Sequence, residues 1–333
     1  MKTKTTITLL FALFFSCIAI SQDTFSIVAL DSITGEVGSA GASCVDMSNF
    51  PGYDDDFLGE LFPGLGAINT QAWYLPANQA NARTRMNAGD TPAEIIDWLI
   101  ANDVQSQPQK RQYGIVAFVG SSPQSAAHTG TATDDYKNHV LGPNYSIQGN
   151  ILLGQEVLDS MEARFLAEEG DLACKLMAAL QGAKMVGADT RCASNGTSSL
   201  FSFVKVAQAT DTFGFPSFVV SVRTSSGAGI EPIDTLQTLF DLVHDCTSTG
   251  MNQTEKFHSR FSVYPNPVSD NLTIESNRSG LFNIEIIDIT GNVILEAKLR
   301  NNIDIQLSGL SKGIYFIRIS KGGQYWTSKV VKN

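Results

Sequence analysis

The 333-residue chain is poor in charge, and in basic residues above all. Only 17% of it is Asp, Glu, Lys or Arg, and residues 22–246 carry 11 Lys and Arg against 26 Asp and Glu, a net of −15. Affinity for nucleic acids rests chiefly on Lys and Arg neutralising phosphates, so an acidic region of this kind excludes DNA and RNA as partners. Proline is scarce at 11, and a 43% hydrophobic content excludes a collagen-like or wholly disordered polymer. Histidines number four, and no cysteine has a CxxC neighbour or a His at ligand spacing, so no metal site is expected. The chain lacks a GxSxG nucleophile elbow. Asn195-Gly196-Thr197 lacks the lysine of a phosphate-binding loop. Asp54-Asp55-Asp56 lacks the spaced oxygen ligands of a calcium loop and reads as a solvated acidic loop. No cofactor is implied.

At the N-terminus, Lys2 and Lys4 precede an apolar run from Ile7 to Phe15 and the small-residue pattern Ala19-Ile20-Ser21. The run falls short of the roughly 20 residues needed to span a bilayer, so residues 1–21 are expected to be a secretory signal peptide. Its removal takes Cys17 and leaves Cys44, Cys174, Cys192 and Cys246 on an oxidising route. Four cysteines allow two disulfides in any of three pairings.

Residues 22–246 are expected to form one domain, 247–260 a polar linker, and 261–333 a second domain. In the first, Thr24–Asp31 and Glu36–Ser43 alternate around a Thr34-Gly35 turn, the pattern of a β-hairpin. Gly66–Trp73, Tyr113–Val119 and Ser125–Gly130 read as further strands. Thr91-Pro92-Ala93-Glu94 is a capping box opening a helix whose Ile95, Ile96, Leu99 and Ile100 face inward. Helices follow from near Gly154, with Val157, Leu158, Met161, Phe165 and Leu166 on one face, and over Leu172 to about Met185. Strands return at Ser198–Val206 and Ser217–Arg223, before a helix from Pro232 to about His244. Strand pairs, helices and strand pairs again predict an α+β fold. In the second domain, short alternating segments over 272–331, broken by Ser-Gly, Thr-Gly, Lys-Gly and Gly-Gly turns, predict a small immunoglobulin-like β-sandwich.

The second domain resembles the type A C-terminal sorting domain of the type IX secretion system. The resemblance is carried by Tyr264-Pro265-Asn266-Pro267, Asp288-Ile289-Thr290-Gly291, Leu310 with Gly313-Ile314-Tyr315, and Lys329-Val330-Val331-Lys332. It implies the type IX machinery as partner, a Bacteroidota-type cell, and a secreted or outer-membrane-surface location reached through the periplasm. The first domain resembles the domain of unknown function 1028 family of the N-terminal-nucleophile hydrolase superfamily. Here the matching words are Thr24–Ala29, Thr34–Gly38, Gly66–Ala72, Ala127–Gly130, Tyr145–Asn150 and Gly187–Arg191. That resemblance implies a four-layer αββα sandwich.

The superfamily resemblance also implies chemistry. A Thr at the mature N-terminus can be both nucleophile and, through its own α-amine, base, since an α-amine has a pKa of roughly 7.7 to 8.0 and is partly neutral at working pH. Thr24 is the matching residue, with an amide or related acyl bond in an unknown small-molecule or peptide-like substrate as the target. A cut after Ser21 leaves Gln22 and Asp23 ahead of it, so this chemistry requires a further trim; the alternative is a strand Thr in a catalytically silent, ligand-binding or envelope-associated member of the fold. Asn69, Gln71 and Asn150 are candidate oxyanion donors. His128 is a candidate acid, base or hydrogen-bond partner, set against a buried His bonded to backbone. Asp189 and Arg191 offer either a clamp for a substrate carboxylate or an internal brace. Oligomeric state is open, a homo-oligomer included.

Overall fold

The computed structural model describes residues 24–246, 261–276, 280–321 and 324–333; the expected signal peptide (1–21) and linker (247–260) lie outside the described residues. The chain is a mixed α/β fold with several antiparallel sheets. Its opening hairpin pairs β1 (Thr24–Leu30) with β2 (Val37–Ser43), from Thr24 opposite Ser43 to Leu30 opposite Val37. A second hairpin joins β3 (Gly59–Phe62) to β4 (Gly66–Gln71) through Gly64 at φ +70°. Next come α1 (Pro76–Asn87), α2 (Pro92–Ala101), β5 (Gln112–Val119), β6 (Ser122–Thr129), β7 (Asn138–Gly142) and β8 (Tyr145–Gly149). The region ends with α3 (Gln155–Ala167), α4 (Leu172–Gly182), β9 (Phe201–Ala207), β10 (Phe218–Arg223) and α5 (Pro232–Val243).

Two sheets result, one in the order β10-β9-β2-β1-β8-β7 and one in the order β3-β4-β5-β6. Strand side chains alternate between faces, so each sheet has two jobs. Phe25, Ile27, Ala29, Ala40 and Ala42 turn toward α3, α4 and α5, joining Leu158, Met161, Leu176, Leu180, Leu236 and Phe240 in one buried cluster. The alternate residues Val28, Leu30 and Val37 meet Leu61, Ala67 and Val116 of the second sheet. That sheet's other face, with Ile68, Tyr113 and Ile115, packs on Ala82 and Met86 of α1 and Ile95 and Leu99 of α2.

Most helices follow their sequence signals. The Thr91 hydroxyl accepts from the Glu94 backbone N–H while Glu94 Oε2 accepts from the Thr91 N–H, completing the capping box of α2. Leu166 departs from expectation: it is exposed, because the stripe of α3 is Val157, Leu158, Met161 and Phe165, and the next residue is rotated about 100° off it. Helix α1 has no counterpart in the sequence reading. It buries Asn78 and Gln79 beside Ala82 and Met86 and is anchored by polar bonds: Asn78 Nδ2 to Asp103 Oδ2 (2.5 Å) and Tyr113 Oη (3.0 Å), Gln79 Nε2 to the Phe57 carbonyl (2.8 Å). The acidic loop also differs, since Asp55 turns to Arg223 (2.7 Å) and Asp56 to Lys205 (3.0 Å).

The cysteines pair as Cys44–Cys192 and Cys174–Cys246. The C-terminal β-rich region has a three-stranded sheet of β11 (Phe261–Tyr264), β12 (Asn271–Ser276) and β15 (Asn302–Gln306). A four-stranded sheet of β13 (Phe282–Asp288), β14 (Val293–Leu299), β16 (Gly313–Lys321) and β17 (Gln324–Lys332) completes it. Its core holds Phe261, Leu272, Ile274, Ile284, Ile317 and Ile319.

A buried ion pair ties α1, the loop after α2 and β5 together. Arg111 Nε donates to Asp103 Oδ2 at 2.8 Å, with the two side chains 2% and 1% exposed. Burial alone would raise the Asp103 carboxyl, but Arg111, the Gln107 backbone N–H and the Asn78 amide together bring it down to about 2. A depressed carboxyl contributes stability that is present above its ordinary value of 3.8 and lost as pH falls toward 2, about 2 kcal/mol here. Arg111→Met strands a buried carboxylate and is expected to cost about 3–5 kcal/mol by urea denaturation at neutral pH. An unchanged midpoint would show that the pair is dispensable.

Candidate functional site

The layer between the two sheets changes character along its length. At one end it is aliphatic, with Val28, Leu30, Val37, Leu61, Ala67, Val116 and Ala207. Toward the start of β1, the same inward positions become Ser39, Asn69, Ser26, Gln71, Gln148, Gln112, Asn150 and Thr24, all fully or almost fully buried. A polar interior is costly unless its groups are paired, so this one forms a network. Ser39 Oγ donates to Asn69 Oδ1 (2.6 Å), and Asn69 Nδ2 donates to the Ile27 carbonyl (3.2 Å). Ser26 Oγ donates to Gln71 Oε1 (2.6 Å) and accepts from Gln148 Nε2 (2.7 Å).

Gln112 is the hub. Its Oε1 accepts from Gln71 Nε2 (2.7 Å) and Asn150 Nδ2 (2.8 Å). Its Nε2 lies within bonding distance of Thr129 Oγ1 (2.9 Å) and the carbonyls of Gly149 (2.8 Å) and Asn138 (3.1 Å). Through these bonds the network reaches Thr24, whose carbonyl accepts from Gln71 Nε2 (3.2 Å) and the Asn150 backbone N–H (3.1 Å). Among the described residues, Asn150 Oδ1 is buried without a hydrogen-bond partner. An orphaned acceptor in a protein interior costs about 1–3 kcal/mol and calls for a functional account.

Backbone strain gathers at the same end. Ala72 (φ 51°) and Trp73 (φ 48°) follow β4, and Ile151 (φ 52°) follows β8 by two residues. A left-handed conformation at a β-branched residue costs about 1–3 kcal/mol and persists only where surrounding contacts over-determine it. Those contacts are present: Arg111 Nη1 donates to the Trp73 carbonyl, the Ile151 N–H donates to Asp134 O (3.1 Å), and its carbonyl accepts from Thr190 N (3.0 Å).

Asp189 and Arg191 border this end beside β2. Asp189 is fully buried and accepts from Arg191 Nε (3.0 Å) and Nη2 (2.6 Å) and from the Cys44 N–H (2.8 Å). Arg191 Nη2 also approaches Ser43 Oγ, the register partner of Thr24, at 3.4 Å. The fork of Arg191 thus braces the 190–195 loop to the hairpin, with Cys44–Cys192 as a covalent second tie.

The structure therefore brings together Thr24, Gln71, Asn150, Asp189 and Arg191, with Asn69 two residues along β4. His128 is placed apart. It pairs with Tyr113 on the face of the sheet turned toward the helices, and its Nε2 donates to the Pro108 carbonyl at 2.9 Å. His139, which stands in none of the matching words, is linked to the network. Thr129 Oγ1 lies 2.9 Å from both Gln112 Nε2 and His139 Nδ1, so the hydroxyl joins the imidazole to the hub. Burial first, and the charge of His128 second, push the His139 imidazole below its ordinary 6.5. Neither Gln112 nor His139 lies in a recognisable word; strand parity, which puts Gln112 and Thr129 opposite each other, is the signal that finds them.

A cavity of about 190 Å³, lined by Asp56, Leu61, Lys205, Ala207 and Phe213, lies at the aliphatic end, since Ala207 pairs with Val37 and the far end of β9 pairs with Ser43. It is remote from Thr24.

Comparison with known proteins finds two family matches in the chain. The model of a "Family of unknown function (DUF1028)" matches residues 24–214, beginning at Thr24. That of a "Secretion system C-terminal sorting domain" matches residues 262–333. A crystal structure of a Silicibacter pomeroyi protein, titled as DUF1028, is similar at 21% identity with a TM-score of 0.51, covering 66% of this chain and 88% of that one. At such identity the likeness is one of fold. No curated protein matches.

Gln112→Leu keeps the volume and removes every bond of the hub. It is expected to destabilise the protein by about 3 kcal/mol or more, because at least two buried partners are orphaned. A loss within 0.5 kcal/mol by urea titration would show that the network does not hold this end. His139, whose value is depressed, contributes stability that is present above pH 6.5 and lost as pH falls through its lowered value. His139→Gln is expected to flatten that slope in thermal melts taken from pH 7.5 to 5.

Proposed function

The chain belongs to the family of unknown function DUF1028, and from that membership we propose that it is a secreted N-terminal-nucleophile-like amide hydrolase whose nucleophile is Thr24. The C-terminal sorting domain implies export and a partnership with the type IX secretion machinery, with a secreted or cell-surface destination. In this reading a signal peptide first carries the chain to the periplasm of a Bacteroidota-type cell, and proteolysis then removes residues 1–23. The helix, sheet, sheet, helix packing order supports placing the domain with the N-terminal-nucleophile sandwiches.

The observation that carries the reading is the placement of Thr24. It heads the central hairpin at the one end where the inter-sheet layer is polar, its carbonyl is held by two donors, and the neighbouring Asn150 Oδ1 is a buried acceptor without a partner. In the encoded chain the Thr24 nitrogen is a peptide nitrogen and cannot act as a base. Once freed, the α-amine takes the proton from Thr24 Oγ as the oxygen adds to the acyl carbon, then delivers it to the departing amine. Water hydrolyses the resulting ester by the same proton path. In this reading Asn150 holds the new α-ammonium through Oδ1, and Asp189 with Arg191 forms the wall beside Ser43.

A second reading, a catalytically silent ligand-binding or envelope-associated member, is favoured by one feature. The candidate oxyanion donors Asn69, Gln71 and Asn150 all spend side-chain N–H groups on internal bonds.

N-terminal sequencing of protein recovered from the medium is expected to read Thr24 first. Thr24→Ala is expected to lower hydrolysis of an amide panel by about a thousandfold or more, and activity in the parent should rise through roughly pH 7.7–8.0 as the amine deprotonates. A mature chain that starts at Gln22 and shows no turnover would favour the silent reading, and turnover indifferent to Thr24→Ala would overturn Thr24 as the nucleophile.

A further inference from the structure

Away from the Thr24 site, the fold brings together two pairs of metal-ligating side chains, Asp171 with Cys174 and His244 with Cys246, that the linear sequence keeps far from each other. Asp171 is the N-cap of α4, accepting from the Cys174 N–H at 3.1 Å, and residues three apart at a helix start share one face. His244 follows α5 in extended backbone (φ −144°, ψ 140°), and Cys246, two residues on, is held beside Cys174 by the disulfide. The two pairs face each other. His244 Nε2 lies 2.8 Å from Asp171 Oδ2, and the ligand atoms of Asp171, Cys174 and His244 all fall within 4.8 Å of one another. Cys246 is bonded to Cys174. Among the described residues this is the one group of three or more such side chains with that closeness. The imidazole is oriented by Phe218 (5.2 Å) and Phe240 (5.1 Å), ring contacts of the kind that fix a ligand before a metal arrives.

The geometry points to a thiol-dependent metal site: with the Cys174–Cys246 bond open, Asp171, Cys174, His244 and Cys246 hold one zinc-type divalent cation, and the disulfide and the metal exclude each other. Two thiolates, an imidazole and a carboxylate are a tetrahedral zinc donor set. Around such an ion the sulfurs stand about 3.8 Å apart, each about 2.3 Å from the metal, so both can ligate only when the bond between them is absent. The imidazole nitrogen and the carboxylate oxygen, now hydrogen-bonded at 2.8 Å, reach the roughly 3.3 Å separation of tetrahedral ligands by parting about half an ångström as the ion takes the place of the proton between them. The join between the start of α4 and the end of α5 can thus be closed in two ways, by metal in a chain whose thiols are not yet oxidised and by the disulfide afterwards.

The chemistry balances. Opening the bond takes two electrons and two protons and gives two thiols: a dithiol supplies both and leaves as its own disulfide, whereas a phosphine supplies the electrons and leaves as its oxide, with the oxygen and both protons drawn from water. Each thiol sheds its proton to solvent as the cation binds. Reoxidation by a small-molecule disulfide such as oxidised glutathione passes two electrons from the thiolates to that disulfide, which leaves as two thiols, re-forms the S–S bond and releases the ion.

The test uses the full chain carrying Cys17→Ser, Cys44→Ser and Cys192→Ser, so that one cysteine pair remains, with cobalt(II) as the probe. After phosphine reduction without oxygen, one cobalt per chain is expected, with the visible bands of four-coordinate cobalt, near-ultraviolet thiolate charge transfer, and loss of both on adding zinc. Oxidation to the disulfide should abolish binding. Asp171→Asn retains the cap, since Asn caps as well as Asp, but loses the carboxylate; it and His244→Ala should each weaken binding about tenfold or more. Absence of the bands in the reduced parent would overturn the proposal. So would bands and affinity that Asp171→Asn and His244→Ala leave unchanged, because two thiols would then be acting without the rest of the site.

Discussion

The carbonyl of Thr24 accepts one hydrogen bond from the Gln71 side chain and one from the Asn150 backbone, and both residues are themselves held by the Oε1 of Gln112. Everything at this end follows from that arrangement. β1 and β8 lie in one sheet, β4 and β5 in the other, so the three amides lock the sheets in register where apolar packing has ceased. Aliphatic side chains at the far end supply the non-directional attraction of burial, roughly 1.5–3 kcal/mol for each large residue. Hydrogen bonds here contribute less net energy but fix direction, which is what a reacting group requires. The left-handed backbone at Ala72, Trp73 and Ile151 is held against its local preference by the same surroundings.

Much of this fold was legible in the sequence, for reasons that also define where legibility stops. β1 and β2 alternate cleanly around a Thr-Gly turn, and α2 has both halves of a capping box before an apolar stripe. Helix α1 has no such stripe: its sequence PANQANARTRMN buries two amide side chains, and polar anchors from residues 57, 103 and 113 do the work that periodicity would report. The site shows the same split. Thr24, Gln71 and Asn150 stand in family words and converge, whereas Gln112 becomes visible only once strand pairing sets it opposite Thr129. His128 and His139 differ by the parity of one strand position and by a pairing between β7 and β8 that sequence reading did not contain.

Charge and processing fit the same division of labour. The acidic balance of residues 22–246 is partly internal, since Asp55, Asp56, Asp103 and Asp189 each hold a cation rather than solvent alone. The sorting domain has its own apolar cluster and a slight basic excess, while its Ile287 and Phe316 pack with the core of the first domain.

The two disulfides close overlapping rings. Cys44–Cys192 spans 148 residues and Cys174–Cys246 spans 72, and the segment between Cys174 and Cys192 belongs to both. A single backbone cut anywhere from residue 44 to residue 246 therefore opens a ring without separating the pieces. For a protein addressed to the outside of the cell, this is covalent redundancy: an exposed loop can be nicked by a foreign protease while the hairpin that bears Thr24 remains joined to every helix that packs against it.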